Sequence, residues 1–283
     1  MAETSQHKDQ FVIAYLTSLQ DADRTTEWAI HFAKLLDKGL ILLHITDKHY
    51  TQISPEEAES TLQNLNNRIT EIPTHTYAAL KGKTKDIIHS LGEVFSAVMV
   101  VGRVNNGSQS EKNKAATPKH LIRNFSASRI AYFLFGEEAY PKPFNSVLLP
   151  LNMLREAKEK VLWASYFGRF AQSSILILYK HYRDSFHRQQ LQYNLKFAAD
   201  MLAKFHLNFV LEQYNGETKG DIDLLALQYA ETNDCNLIIC QSTRNKSIVD
   251  FFSSLQELKT LRQMRRIPIL FLNPRDDLFV LCE

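Results

Sequence analysis

The sequence predicts an α/β protein of two tandem doubly wound units, each a five-stranded, mostly parallel sheet covered by helices. Three observations carry this reading. Five apolar anchors recur in the same order at a nearly constant offset, strand-like runs alternate with helical patterns, and a proline-bearing break separates the copies. A repeat of this kind decides the architecture before any single motif does.

The anchors run as follows. Val12-Ile-Ala-Tyr-Leu-Thr17 returns as Val147-Leu-Leu-Pro-Leu-Asn152, and Leu42-Leu43-His44 as Ile177-Leu178-Tyr179, each displaced by 135 residues. Lys81-Gly82 returns as Lys219-Gly220, displaced by 138, and Val98-Met-Val-Val-Gly102 as Leu237-Ile-Ile-Cys-Gln241, displaced by 139. Ile130-Ala-Tyr-Phe-Leu-Phe135 returns as Ile267-Pro-Ile-Leu-Phe-Leu272, displaced by 137.

In the first copy, strand-like runs fall near 11–17, 40–46, 74–80, 97–102 and 128–135. Between the first two, Trp28, Ala29, Phe32, Ala33, Leu35 and Leu36 keep helical spacing, so one face packs on a sheet. Ser54-Pro55-Glu56-Glu57 is a helix start: a capping serine, proline at the first helical position, and acids at the positive dipole end. The last link is short, Lys119 to Asn124. The second copy predicts helices near 154–171, 184–206, 219–233 and 254–264. Strands apolar on both faces and alternating with helices imply a buried parallel sheet, and right-handed crossovers make it doubly wound. Glu137 to Pro143, with two prolines and a glycine just before it, is the linker.

Composition sets bounds on function. With 283 residues the chain holds two ordinary domains. The net charge is +2, and a split near residue 141 gives 15 basic against 16 acidic residues, then 18 against 15. Neither half carries the electrostatic footprint of a nucleic-acid binder. No run is long and apolar enough for a membrane helix, and residues 1–10 lack an apolar signal core. Cys235, Cys240 and Cys282 have no paired spacing and read as small buried hydrophobes.

The anchors also suggest a family. Val12 to Ser18, the helix with Trp28-Ala29, and Leu40-Ile-Leu-Leu-His-Ile45 resemble the opening of universal stress proteins. Ala97-Val-Met-Val-Val-Gly102 resembles their fourth strand and Arg266-Ile-Pro-Ile-Leu-Phe271 their fifth. The resemblance covers essentially residues 11–273. It implies the Rossmann-like, adenine nucleotide hydrolase-like form of the fold, with universal stress protein-like domains over 1–140 and 141–283. It further implies a cytoplasmic stress-response binding or signalling module, not an enzyme. The two domains pair with each other, a homodimer is a further option, and no specific nucleic acid or membrane partner is expected.

Some members of that family bind ATP. They carry aspartate at the end of strand one. After strand four comes a loop of glycine, two residues, glycine, nine residues, glycine, then serine or threonine. Glycines let backbone amides close on phosphates, and a helix N-terminus adds partial positive charge. In the first half the positions carried over are Thr17, Gly102, Gly107 and Thr117, with Asn105 at the second glycine position. In the second half Asn152 replaces the aspartate, and Gln241-Ser-Thr-Arg-Asn-Lys-Ser247 has no glycine. Both sites therefore read as degenerate and no cofactor is expected. The alternative is an adenine-nucleotide sensor binding ATP through the first half alone, helped by Arg103, Lys112 and Lys114.

Other motifs reduce to structure. Gly82-Lys83-Thr84 ends like a phosphate loop, but Tyr77 stands where that motif needs its first glycine. His44 reads as a satisfied core histidine, and no histidine has metal-ligand spacing. No nucleophile elbow, zinc-protease or kinase motif appears, so no catalytic residue and no metal ligand is assigned. Lys259, Arg262, Arg265 and Arg266 read as a solvated basic face complementing a helix C-terminus, with an anion patch completed by Arg244 and Lys246 as the sharper option. Val104 to Pro118 reads as a mobile surface loop. The apolar run Leu278-Phe-Val-Leu281 reads as a segment that packs on a domain or adds a strand.

Overall fold

The computed structural model describes residues 10–19, 21–48, 53–105, 114–125, 128–215, 222–242 and 264–273. Gly107, the pair 219–220, the basic residues 244–262 and the apolar run 278–281 lie outside them. In the first half the strands are β1 (Phe11–Tyr15), β2 (Gly39–Thr46), β3 (His75–Lys81), β4 (Met99–Arg103) and β5 (Ala131–Phe135). They alternate with α1 (Ala22–Leu36), α2 (Pro55–Asn67), α3 (Thr84–Val94) and α4 (Pro118–Phe125). The second half has β6 (Ser146–Pro150), α5 (Ala157–Phe170), β7 (Ser174–Lys180), α6 (Ser185–Lys204), β8 (Phe209–Tyr214), α7 (Ile222–Thr232), β9 (Leu237–Gln241) and β10 (Ile269–Leu272).

The strand order is β3-β2-β1-β4-β5-β10-β9-β6-β7-β8, one ten-stranded sheet. Every pairing within a half is parallel, and both halves repeat the same order outward from the join. The halves meet through β5 and β10, antiparallel, with Phe271 opposite Tyr132.

That join is aromatic on both faces. On one, Tyr132 and Phe271 stack with centroids 5.1 Å apart. On the other, Phe144 from the linker stacks on Trp28 at 5.8 Å and meets Phe167 of α5 edge-on at 5.2 Å. Trp28 and Phe32 pack in turn on Phe133 at 4.8 and 4.6 Å. The core over the α1, α2, α5 and α6 face therefore runs unbroken from one half to the other. Burying rings of this size dominates the energetics of such a join, and offset and edge-on pairs add about 0.5–1.5 kcal/mol each.

Local signals explain the helix starts. The Ser54 hydroxyl accepts from the Glu57 N–H at 3.2 Å with Pro55 at the first helical position, and Asp184 accepts from the His187 N–H at 2.9 Å to start α6. Thr117 precedes α4, its carbonyl accepting from the Leu121 N–H at 3.0 Å. One expectation needs correction. The stretch Val104 to Pro118 is not a surface loop at its ends, since Val104, Asn105, Ala115 and Ala116 are buried. The Asn105 N–H donates to the Ala116 carbonyl at 2.9 Å and ties the two ends together.

Candidate functional site

In an open α/β sheet, ligands bind beyond the carboxyl ends of the strands where the order reverses. Here those points lie between β1 and β4 in the first half and between β6 and β9 in the second.

At the first, the structure brings Thr17, Ser18, Asp21, Thr25, Arg103 and Asn105 together, and the space between them is too small for a water molecule. Arg103 closes it. Its guanidinium is buried and ion-paired with the half-exposed Asp21 carboxylate, just ahead of α1. Two polar atoms there, Arg103 Nε and Asn105 Oδ1, are buried with no hydrogen-bond partner among the described residues. Gly102 lies inside β4, between Tyr15 and Leu134, and points at the opposite face. A Cβ at Gly102 would meet Leu134 and Phe125 at 3.4 and 3.5 Å, ordinary contact, so this glycine spares no room for a phosphate. Thr117 lies on the α4 side, where its hydroxyl donates to the Lys114 carbonyl at 2.9 Å. Thr17 and Arg103 therefore share the crevice, while Gly102 and Thr117 turn away from it.

The α3 N-terminus is also taken. Both the Thr84 N–H and its hydroxyl donate to Asp47 Oδ2, at 3.3 and 3.4 Å. The carboxylate sits where a phosphate would have to dock, and Lys83 is exposed ahead of it, which removes any phosphate-loop reading of this turn. Burial holds the neighbouring Tyr15 phenol far above its usual range, against a hydrogen bond from Thr84 and with Asp47 adding to it. Burial also lowers His120 to about 4, partly opposed by Asp47 and reinforced by Arg123.

His44 is only half satisfied. Nδ1–H donates to the Leu16 carbonyl at 2.7 Å, whereas the buried Nε2 has no partner among the described residues. Burial accordingly lowers its pKa, with the Leu16 bond and Glu57 working the other way.

The second crevice holds a residue that the sequence reading passed over. Lys160, on the inward face of α5, has no exposed surface. Its ammonium donates to the Pro150 carbonyl at the end of β6 and pairs with Asp223 in the first turn of α7 at 3.2 Å. It thus crosses the carboxyl end of the sheet from one helical layer to the other. Asn152 is spent on a local turn, accepting from the Leu154 N–H at 3.1 Å and, through its carbonyl, from Asn194 at 2.8 Å. Ser242 bonds the Leu272 carbonyl through its N–H and Asn273 through its hydroxyl. Gln241 has both side-chain polar atoms buried without partners among the described residues. A signal for Lys160 was available, because Ala157, Lys160, Val161, Ala164 and Gly168 form one inward stripe at helical spacing. A lysine on such a stripe must find an internal acceptor.

Elsewhere, Cys235 and Cys240 are buried thiols. Arg265 and Arg266 reach Glu138 of the linker, at 3.9 and 2.9 Å. Among the described residues no group of His, Cys, Asp or Glu is placed to hold a metal, and no helix is long and apolar enough to cross a membrane.

No family model and no curated protein matches the sequence. Solved structures do. A universal stress protein from Archaeoglobus fulgidus superposes with a TM-score of 0.72 at 12% identity, covering 94% of this chain and 97% of that one. A functionally unknown protein from Pseudomonas aeruginosa gives 0.62 at 12%, over 96% and 94%. The cytoplasmic domain of a prokaryotic cation chloride cotransporter gives 0.52 at 13%, over 97% and 99%. The chain has the tandem universal stress protein fold.

Proposed function

We propose that this chain is a non-catalytic, cytoplasmic universal stress protein of the tandem form, a stress-response binding or signalling module with two degenerate nucleotide positions. One observation carries the reading. Each switch-point crevice is filled from within by a basic side chain paired to the chain's own carboxylate: Arg103 with Asp21, and Lys160 with Asp223. A phosphate entering the first crevice would meet the half-exposed Asp21 carboxylate at its mouth, and one entering the second would have to displace the enclosed Lys160 ammonium from its acceptors. Breaking the enclosed Lys160 pair costs roughly 3 kcal/mol, the low end for a buried pair, which is a large share of the binding energy of a small ligand. The fold alone does not choose among functions, since its neighbours include both a stress protein and a transporter's cytoplasmic domain.

A second reading rests on the orphaned Arg103 Nε and Asn105 Oδ1. In it, the first half senses an adenine nucleotide, with Thr17 and Arg103 in contact with it. Mass spectrometry of small molecules released from the purified protein, followed by thermal shift with ATP, separates the two. A ligand at 100 times its dissociation constant stabilises by about 2.7 kcal/mol. Our reading expects no retained nucleotide and no shift at millimolar ATP. The partners we propose are the two halves for each other and, on the exposed edge strand β8 with Val210 and Leu211, a second copy of the chain.

A further inference from the structure

Among the described residues the ten-stranded sheet ends in two edges, β3 and β8, which the repeat makes counterparts. They have diverged. In the first copy α2 lies on both β2 and β3, and Tyr77, Ala78, Ala79 and Leu80 pack against the two cores. The residues that β3 leaves open are polar, Thr76 and Lys81. In the second copy α6 packs on α5, and α7 lies over β6, β7 and β9. Val210, at the position of Thr76, is 60% exposed, and Leu211 beside it is 42% exposed. The one charge on β8, Glu212, is held by a hydrogen bond from Tyr229 of α7. The strand carries neither lysine nor proline, the usual guards of an open edge.

This edge is self-complementary. The Ile175 N–H donates to the Asn208 carbonyl at 2.9 Å, with Ile175 opposite Phe209. In a parallel ladder that alternation commits the backbone groups of Asn208, Val210 and Glu212 to β7 and turns those of Phe209, Leu211 and Gln213 outward. An antiparallel second β8 takes up the outward set. Directly opposed residues share a face, so a two-fold axis must pass through one residue of the strand. Through Glu212 it would oppose two like charges, which is destabilising. Through Leu211 it would set Val210 against Glu212 and Phe209 against Gln213. Through Phe209 it would set Val210 against Asn208, and Leu211 against Leu207, which is spent packing on Gly168 of α5. Through Val210 it sets Val210 against itself, Phe209 against Leu211, and Glu212 against the Asn208 amide.

Resting on the reading that a second copy occupies β8, we infer that the two copies pair β8 to β8, antiparallel, about a two-fold axis through Val210, so that their sheets become one. The chain already joins its own halves in this manner, since β5 and β10 meet edge to edge and antiparallel. Val210 then lies in a non-hydrogen-bonded pair, where side chains approach most closely, and Phe209 and Leu211 exchange the backbone bonds on either side of it.

Sedimentation velocity over a concentration series reads the pairing in the full chain, in Val210→Lys and in Thr76→Lys, with circular dichroism confirming that each is folded. The expected result is a concentration-dependent dimer for the full chain and Thr76→Lys, and a monomer for Val210→Lys. Oxidative cross-linking then reads the register in a Cys282→Ser background, where Cys235 and Cys240 are buried. Val210→Cys should cross-link, because the Cα atoms of such a pair lie about 4.5 Å apart, within disulfide reach. Leu211→Cys should not, because an offset of two residues puts its mate about 8 Å away. A full chain that stays monomeric, or a dimer that survives Val210→Lys or is lost in Thr76→Lys, would overturn the inference together with the second copy on β8. A dimer lost only in Val210→Lys, in which Val210→Cys fails to cross-link or Leu211→Cys succeeds, would overturn the register and leave that second copy standing. Neither outcome bears on the nucleotide positions, which ATP titration tests separately.

Discussion

Lys160 offers the sharpest quantitative check, because its charge is fully enclosed and its partners are named. Replacing it by methionine keeps the apolar stem and removes only the ammonium, which isolates the electrostatic part from packing. At the 3.2 Å separation from Asp223, and with an effective dielectric near 20, the gross attraction is about 5 kcal/mol. Much of that is offset by desolvation, so the net cost is set by what the change leaves behind. Pro150 loses a buried donor, worth roughly 1–3 kcal/mol. Asp223 loses its counter-charge but is 22% exposed, so water takes over part of its solvation. The expected sum for Lys160→Met is about 3 kcal/mol, the low end for a broken buried pair. Adding Asp223→Asn to that variant should recover part of the loss, because two coupled sites are not additive. Urea unfolding followed by circular dichroism measures both. A Lys160→Met protein as stable as the parent would mean that the ammonium is hydrated rather than enclosed, and the account of the second crevice would fail.

Other expectations follow from the same coordinates. Phe144→Ala should destabilise by about 3–5 kcal/mol, the usual cost of truncating a buried phenylalanine, and should keep a single unfolding transition because the core is shared; two separated transitions in calorimetry would contradict the shared core. Ser54→Ala, removing the cap of α2, should cost about 1 kcal/mol in chemical denaturation, and a neutral result would count against that cap. Stability should also fall on acidification. Burial lowers the folded-state pKa of His120 to about 4 and also lowers those of His44 and His31, so the unfolded chain takes up protons first. That stability is present above pH 6.5 and is lost as pH falls from there toward 4. His120→Gln should flatten the fall, and an unchanged pH profile would show that His120 is not the group responsible.

Much of this fold was legible because a duplicated chain writes each element twice. The strand runs read at 11–17, 40–46, 74–80, 97–102 and 128–135 became β1 to β5 with edges moved by one to three residues. The Ser54-Pro55 start held, because capping is local chemistry that sequence spells out. The merger of two sheets into one was not legible. It depends on β5 meeting β10, two strands whose apolar runs would equally suit two separate sheets. The crevices were half legible. Replacement of the strand-one aspartates by Thr17 and Asn152 was plain, but the arginine and lysine that fill the space reach carboxylates 82 and 63 residues away in sequence, Asp21 and Asp223. Nothing in a linear spacing announces such a pair. Gly102 misled for a similar reason: it marked the expected loop, yet the strand runs one residue past it and buries it in the sheet.

The central claim is that internal cations have taken the place of nucleotide in both halves. Calorimetric titration of ATP with magnesium into the full chain tests it most directly, alongside Arg103→Ala and Lys160→Met. The account expects no saturable heat in the parent protein up to millimolar ATP. Saturable binding with a micromolar dissociation constant, lost in either variant, would show that one of these basic side chains serves a bound nucleotide, and would contradict the account.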